Sequence, residues 1–157
     1  MKKRNVHLES YIRSVRSRFE DQLAELVETP SISSEPDRAK DINRMAILAS
    51  QYLKTFGAQT CLVKTSGYPV VSGGWEVHKK YPTLTIYNHL DVQPAQEIEW
   101  RQEPFRFRKE GNRYCGRGTT DDKGPALTAL FAAHYVIDQG VPLNIRFLWE
   151  LEEEIGS

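Results

Sequence analysis

Two stretches with a helical spacing of apolar residues lie near the start of the chain. Over residues 7–28 and again over residues 39–56, apolar side chains recur every three or four positions. This spacing places them along one face of a helix, so we predict two amphipathic helices that pack against a core. Pro30 ends the first helix, and Gly57 suits the left-handed position after the second. The segment 29–37 has turn chemistry without periodicity, which indicates a loop.

The middle of the chain carries strand patterns. Residues 59–64 form a short β-type run, and residues 83–87 are β-branched and aromatic and alternate in character, so both predict strands. Residues 68–77 are similar, but Gly73-Gly74 interrupts them, which indicates a hairpin or a bulge. Residues 103–113 contain a Gly-Asn turn and are typical of an edge hairpin.

The last part of the chain predicts a further helix and a further strand. The helix follows Asp122, a candidate cap, and runs to about Gln139, where Gly140 closes it. Since this helix is apolar on nearly every side, we expect it to be central and buried. Residues 144–149 predict a strand that leads directly into a run of glutamates. Because helices alternate with strands, the predicted fold class is α/β.

The composition limits the kinds of molecule that the protein is expected to bind. The 157 residues carry 21 basic and 21 acidic side chains, so no overall field favours nucleic acid or an anionic membrane. No stretch approaches the roughly 18 apolar residues of a membrane span, and no signal-peptide pattern follows the basic N-terminus. Cys61 and Cys115 are far apart and are expected to be free thiols. We therefore expect a cytoplasmic protein that acts on a small molecule.

A histidine and an aspartate follow the most persuasive predicted strand. His89 and Asp91 stand two residues apart, so in an extended segment their side chains point to the same side. Neutral imidazole is a metal ligand, and a carboxylate can orient such a ligand through its other nitrogen. A turn at a strand end, closed by an aspartate hydrogen bond, is the structural alternative.

Two acidic groups complete the candidate chemistry. Asp121-Asp122 lies between a glycine turn and the apolar helix, where glycines let the backbone approach a site closely. Glu150 and residues 152–154 follow the last strand. One of two adjacent glutamates can bind a metal while its neighbour takes a proton from water, whose pKa zinc lowers to about 7. A helix cap for the aspartates and a solvated acidic face for the glutamates are the alternatives.

In this order, the segments resemble the co-catalytic zinc metallopeptidases. That family includes carnosine-type dipeptidases, glutamate carboxypeptidases, aminoacylases, and the acetylornithine and succinyl-diaminopimelate deacylases. The matching segments are residues 87–94, Trp100, residues 103–105, the Gly-Arg-Gly-x-x-Asp-Asp-Lys-Gly-Pro block at 116–125, and residues 152–157. The Asp-Val-Gln-Pro and Pro-Phe elements within them are more similar to the dipeptidase branch.

The resemblance implies a role for each candidate residue. His89 would bind one zinc ion, Asp121 would bridge two, and Glu154 would bind the other. Asp91 would orient His89, and Glu153 would be the general base for hydrolysis of a peptide bond in a dipeptide or small peptide. Manganese or cobalt would suit the same ligands. The resemblance also implies a cis peptide bond after Asp121.

The resemblance further implies a three-layer, zinc-peptidase-like catalytic domain with a mixed, mostly parallel sheet between helices. Residues 1–157 would be its N-terminal part, inactive alone, without the rest of the domain and without a lid domain that forms a homodimer. Since the chain ends directly after the candidate glutamates, we expect it to be truncated. Two other functions stay open: an N-acyl amino acid deacylase, and a non-catalytic metal-binding or interaction module.

Overall fold

Three helices form one layer of the structure. The computed structural model describes residues 2–157, in which α1 spans Lys2–Val27 and α2 spans Ala39–Thr55. Both amphipathic helices are therefore confirmed, and the segment between them is a loop that contains one short 3-10 turn, Pro36–Arg38. None of the described helices combines the length and the apolar character that crossing a membrane requires.

Four strands form a mixed sheet beneath this layer. In chain order they include β1 (Gln59–Val63), β2 (Val70–Trp75) and β3 (Thr83–His89). A separate hairpin follows, made of β4 (Arg108–Glu110) and β5 (Arg113–Cys115). The predicted hairpin is confirmed, but it forms a two-stranded sheet of its own and is not an edge of the main sheet. The chain then forms α3 (Lys123–Asp138) and β6 (Asn144–Glu150).

The order of strands in the sheet is β1-β2-β6-β3. Only β3 and β6 run parallel, whereas β1 with β2 and β2 with β6 are antiparallel. The prediction of a mixed α/β sheet is confirmed, but among the described residues the sheet is not mostly parallel. A short antiparallel connection joins β1 to β2, while the parallel pair encloses the long crossover that contains α3, as parallel strands require.

The core lies between the helices and one face of the sheet. α2 packs against β1 and β2, α3 packs against β3, and α1 packs against α3. The sheet residues that face this core are buried, among them Val71, Ile145, Phe147 and Trp149. On the opposite face Arg146 and Leu148 are exposed. The described residues therefore form two layers, and the third layer that the resemblance implies is not among them.

Helix α3 is less enclosed than its sequence predicts. Ala126, Leu127 and Leu130 are buried against the sheet and α1, whereas Thr128 and Ala132 are exposed. The apolar character on nearly every side predicts a helix buried all round, and this prediction is wrong for the described residues. Because the outer face carries small rather than charged side chains, the sequence pattern does not distinguish it from a buried face.

The glycine pair predicted to interrupt β2 lies inside an unbroken strand. β2 pairs with β1 on one side and with β6 on the other, so no hairpin or chain reversal occurs there. A Cβ at Gly73 would lie 2.6 Å from the main-chain oxygen of Gln59, and a Cβ at Gly74 would collide with that of Ile145. The glycines thus allow the backbones of neighbouring strands to approach closely.

The two cysteines are free thiols, as expected. Cys61 is exposed on β1, and Cys115 is half-buried on β5.

Replacement of Gly74 with alanine tests whether glycine is needed for the close approach of β2 to β6. Because the added methyl group meets the backbone of β6, we expect Gly74→Ala to lower the free energy of unfolding by more than about 3 kcal/mol. Gly140→Ala is the matched control: its φ is also positive at 66°, but an added Cβ would meet nothing within 4 Å. Left-handed strain alone costs about 1–2 kcal/mol there. Equal losses in chemical denaturation would contradict the close-approach explanation.

Candidate metal centre

The candidate residues meet at the carboxyl ends of the parallel pair β3 and β6. His89 is the last residue of β3, and it lies opposite Glu150, the last residue of β6. Since parallel strands end at the same edge of a sheet, the segments that follow both strands come together there. A 3-10 turn over Glu153–Ile155 follows β6, and the start of α3 brings Asp121 to the same edge.

Asp91 joins the two halves of the site, which are the end of β3 and the turn that follows β6. Its side chain is fully buried, and its two carboxylate oxygens accept the backbone N–H groups of Glu153, at 3.2 Å, and of Glu154, at 3.0 Å. Burial alone would raise the pKa of Asp91, but hydrogen bonds from His89 and the main chain outweigh it and hold the pKa below its usual value. Asp91 is therefore a buried carboxylate that stays ionised.

The ring of His89 lies between carboxylates. Its Nδ1 is 3.4 Å from Oδ1 of Asp91, and its Nε2 is 2.9 Å from Oδ1 of Asp121 and 3.8 Å from Oε2 of Glu153. Burial lowers the pKa of His89, but the neighbouring carboxylates Asp91 and Asp121 outweigh burial and raise its pKa to about 9. One ring nitrogen thus faces the orienting aspartate, and the other faces the acidic cluster.

The donor atoms fit a metal ion. His89, Glu153 and Glu154 each offer a ligand atom, and these three atoms lie within 4.8 Å of one another. Asp121 adds a carboxylate oxygen in contact with Nε2, and its side chain is 76% exposed toward solvent. One imidazole nitrogen and several carboxylate oxygens, with the second imidazole nitrogen held by another carboxylate, form a donor set that suits zinc and also manganese or cobalt.

The Asp121-Asp122 pair differs in part from its prediction. The peptide bond between the two residues is cis, as the resemblance implies. Asp122 occupies the N-cap position of α3, but its side chain makes no capping hydrogen bond. The prediction that the Asp122 side chain caps the helix is therefore wrong. Instead, Oδ2 of Asp122 accepts the side-chain amide of Asn88, at 2.8 Å, and the N–H of His89, at 3.3 Å.

The other two glutamates of the acidic run point away from the cluster. The hydroxyl of Tyr87 donates to Glu150, and the N–H of Tyr68 donates to Glu152, at 2.6 Å. The run is therefore divided between Glu153 and Glu154, which face His89, and two residues that bind neighbouring segments. Strand alternation does not predict this division, because the run follows the strand in a turn.

A loop that the sequence shows only as a connection also contacts the site. Ser31 accepts the N–H of Val92, at 2.9 Å, and its hydroxyl donates to the oxygen of Leu90, at 2.6 Å. Ile32 and Val92 form an isolated parallel bridge. These contacts fix the backbone on either side of Asp91, and they involve main-chain atoms that leave no signature in the side-chain pattern.

Lys123 belongs to the sequence block 116–125, but the sequence pattern assigns it no role. Its side chain is fully buried, and its ammonium donates to the main-chain oxygens of Leu26, at 2.9 Å, and Thr29, at 2.8 Å. Burial lowers the pKa of Lys123 to about 7. The lysine ties the end of α1 to the start of α3, next to Asp121. A lysine inside an otherwise apolar helical face is the signal that could have identified it.

Comparison with known sequences shows similarity to metallopeptidases. Residues 85–157 match the sequence family described as Peptidase family M20/M25/M40. The Beta-Ala-His dipeptidase of Rattus norvegicus is 31% identical over 145 residues, which are 83% of this chain and 30% of that protein. The Cys-Gly metallodipeptidase DUG1 of Candida albicans is 31% identical over 164 residues, 93% of this chain and 34% of that protein.

Solved structures agree with this similarity. The crystal structure of human carnosine dipeptidase 1 has a TM-score of 0.85 and 30% sequence identity to this chain, and the match covers 94% of this chain and 34% of that one. The fold is thus like that of metallopeptidase catalytic domains. Residues 85–157 are similar to peptidase family M20/M25/M40, a family that implies a metal ion, generally zinc. The chain spans about a third of the length of these relatives.

Replacement of Asp91 with asparagine tests its role as the joint between the two halves. An asparagine has one acceptor oxygen, so its NH₂ group would face one of the two backbone N–H groups that the carboxylate now accepts. We expect Asp91→Asn to lower the free energy of unfolding of the metal-free chain by about 3 kcal/mol.

Asp138→Asn is the control, measured in the same denaturation series. Asp138 also faces a histidine ring nitrogen, that of His134 at 3.4 Å, but its side chain is 54% exposed. Surface pairs contribute about 0–1 kcal/mol. A similar small loss for both variants would show that Asp91 does not join the halves.

Proposed function

We propose that these residues supply part of the active site of a metal-dependent dipeptidase, which hydrolyses the peptide bond of dipeptides or small peptides. The observation that carries the proposal is the convergence of His89, Asp121, Glu153 and Glu154 at one sheet edge, with Asp91 behind the histidine. Dipeptidases among the relatives support the substrate class, since two of them are named for a dipeptide, Beta-Ala-His and Cys-Gly.

Each side chain has a distinct task in this proposal. His89 and Glu154 would each hold a zinc ion, and Asp121 would be a ligand shared between the two ions. When bound, zinc polarises the amide carbonyl and lowers the pKa of water. Glu153 takes the proton from the attacking water and returns it to the leaving amine, so one carboxylate serves as base and then as acid. Asp91 keeps Nε2 of His89 directed at the metal.

The donor count indicates that other residues complete the site. A catalytic zinc ion takes about three protein ligands, so two ions that share one bridging carboxylate take about five. His89, Asp121 and Glu154 provide three. The other acids beside His89 among the described residues are Glu153, the proposed base, and Asp91 and Asp122, whose oxygens accept hydrogen bonds from the backbone. We therefore propose that the remaining ligands come from outside residues 2–157, and that this chain alone has little or no activity.

Replacement of Glu153 with glutamine tests the division of labour between the adjacent glutamates. In the full-length protein that contains these residues, we expect Glu153→Gln to reduce hydrolysis of a dipeptide at least 100-fold, because glutamine cannot accept the proton. The zinc content per chain, measured by elemental analysis, should stay unchanged. Loss of zinc together with activity would instead make Glu153 a ligand.

Two comparisons complete this experiment. Glu152→Gln is the matched control: its amide oxygen can still accept the N–H of Tyr68, so we expect nearly full activity. Assay of an N-acetyl amino acid beside the dipeptide separates the dipeptidase from the deacylase. If the unmodified full-length protein contained no zinc and hydrolysed neither substrate, the proposal of a metal-dependent hydrolase would be refuted.

A further inference from the structure

Asn88 is a buried amide one residue before the candidate ligand His89. Its side chain is 8% exposed, and Nδ2 donates to Oδ2 of Asp122 at 2.8 Å. The same carboxylate oxygen accepts the N–H of His89 at 3.3 Å. Asn88, His89 and Asp122 therefore meet at a single oxygen atom, which lies between the end of β3 and the start of α3.

The N–H of His89 depends on this contact because of its place in the sheet. β3 pairs only with β6 among the described strands, so one side of β3 is an edge. The N–H of Leu90 points toward β6 and donates to Glu150 at 2.9 Å. Successive N–H groups alternate along a strand, so that of His89 points to the edge side, where Asp122 accepts it.

The carboxylate also fixes the orientation of the Asn88 amide. An ionised carboxylate only accepts hydrogen bonds, so the NH₂ group of Asn88 must face it. The oxygen Oδ1 then points into the interior, where it has no hydrogen-bond partner among the described residues. An amide with an unpaired buried oxygen stabilises a sheet poorly. The contact with Asp122 is therefore the interaction that accounts for an asparagine at this position.

Asp121 and Asp122 both contact His89. Asp121 contacts the ring at Nε2, while Asp122 contacts the backbone of His89 and the side chain of Asn88. Because Asp121 and Asp122 are adjacent, the contacts that hold Asp122 also restrain the backbone that carries the Asp121 carboxylate. We propose that Asn88 is a positioning residue, which acts through Asp122 to fix His89 against Asp121. The proposal rests on the proposed metal site, which it deepens.

The chain offers a matched control in Asn144. This residue is 6% exposed and lies at the first position of β6, at the opposite end of the sheet from the candidate site. Its oxygen accepts the N–H groups of Val77 and His78, and its NH₂ group donates to the oxygens of His78 and Tyr81. Asn144 is therefore a buried asparagine with a purely structural set of contacts.

The test compares Asn88→Ala with Asn144→Ala in this chain. The zinc affinity is measured by calorimetric titration, stability by denaturation, and the exchange rate of the His89 amide proton by NMR without metal. We expect Asn88→Ala to weaken zinc binding about 10-fold or more, as loss of an orienting contact does, and to accelerate exchange of the His89 amide. Asn144→Ala should lower stability at least as much, yet leave zinc affinity and His89 exchange unchanged.

A second variant keeps the test decisive if Asn88→Ala folds poorly. Asn88→Asp nearly preserves the size of the side chain but replaces the donor to Asp122 with a second carboxylate. We expect Asn88→Asp to weaken zinc binding more than Asn88→Ala does, and to accelerate exchange of the His89 amide.

The outcomes separate the two proposals. Unchanged His89 exchange and zinc affinity in Asn88→Ala, or in Asn88→Asp where the alanine variant does not fold, would overturn the positioning role. Equal zinc affinity of His89→Ala and the unmodified chain would overturn the proposed metal site instead. The amide exchange measurement decides the positioning role even then, because it needs no metal.

Discussion

One buried carboxylate determines the geometry of the candidate site. Burying an ionised aspartate costs several kcal/mol unless its oxygens are fully hydrogen-bonded. Asp91 meets this condition only when the end of β3 and the turn after β6 are in their observed positions, because the N–H groups of Glu153 and Glu154 satisfy it. The requirement is electrostatic, but its result is geometric: the two glutamate side chains start from a backbone that Asp91 has already placed beside His89.

Contacts from the loop after α1 and from the start of α3 hold the backbone around Asp91 in place. The loop after α1 holds the backbone around Asp91 through Ser31, and Lys123 links the same loop to the start of α3. Four segments that are distant in the sequence thus share one set of polar contacts. None of them contains the whole site, so the site can exist only in the folded chain, and the apolar core between helices and sheet supplies the free energy that holds it together.

Sequence patterns predicted some of these features and missed others for identifiable physical reasons. Amphipathic spacing gave α1 and α2 correctly, since one-sided burial leaves a periodic record. It failed at Gly73-Gly74, where close packing of backbones, rather than a turn, requires glycine. Spacing brought His89 and Asp91 together, but it could not show that Asp122 binds the strand instead of capping its helix. The oxygens around Lys123 and one of the two contacts of Ser31 come from the main chain, which every residue type shares.

The parallel pairing of β3 with β6 has a consequence for how correct folding can be recognised. Side chains alternate between the two faces of a strand, so a pairing shifted by one residue would place Asn88 or Leu90, rather than His89, opposite Glu150. Asp91 would then lose the two N–H groups that it accepts. Such a chain could remain compact and rich in strand, yet its donor atoms would not converge. Retention of a divalent ion after refolding would therefore report the register of the sheet, which spectroscopic measures of secondary structure do not distinguish.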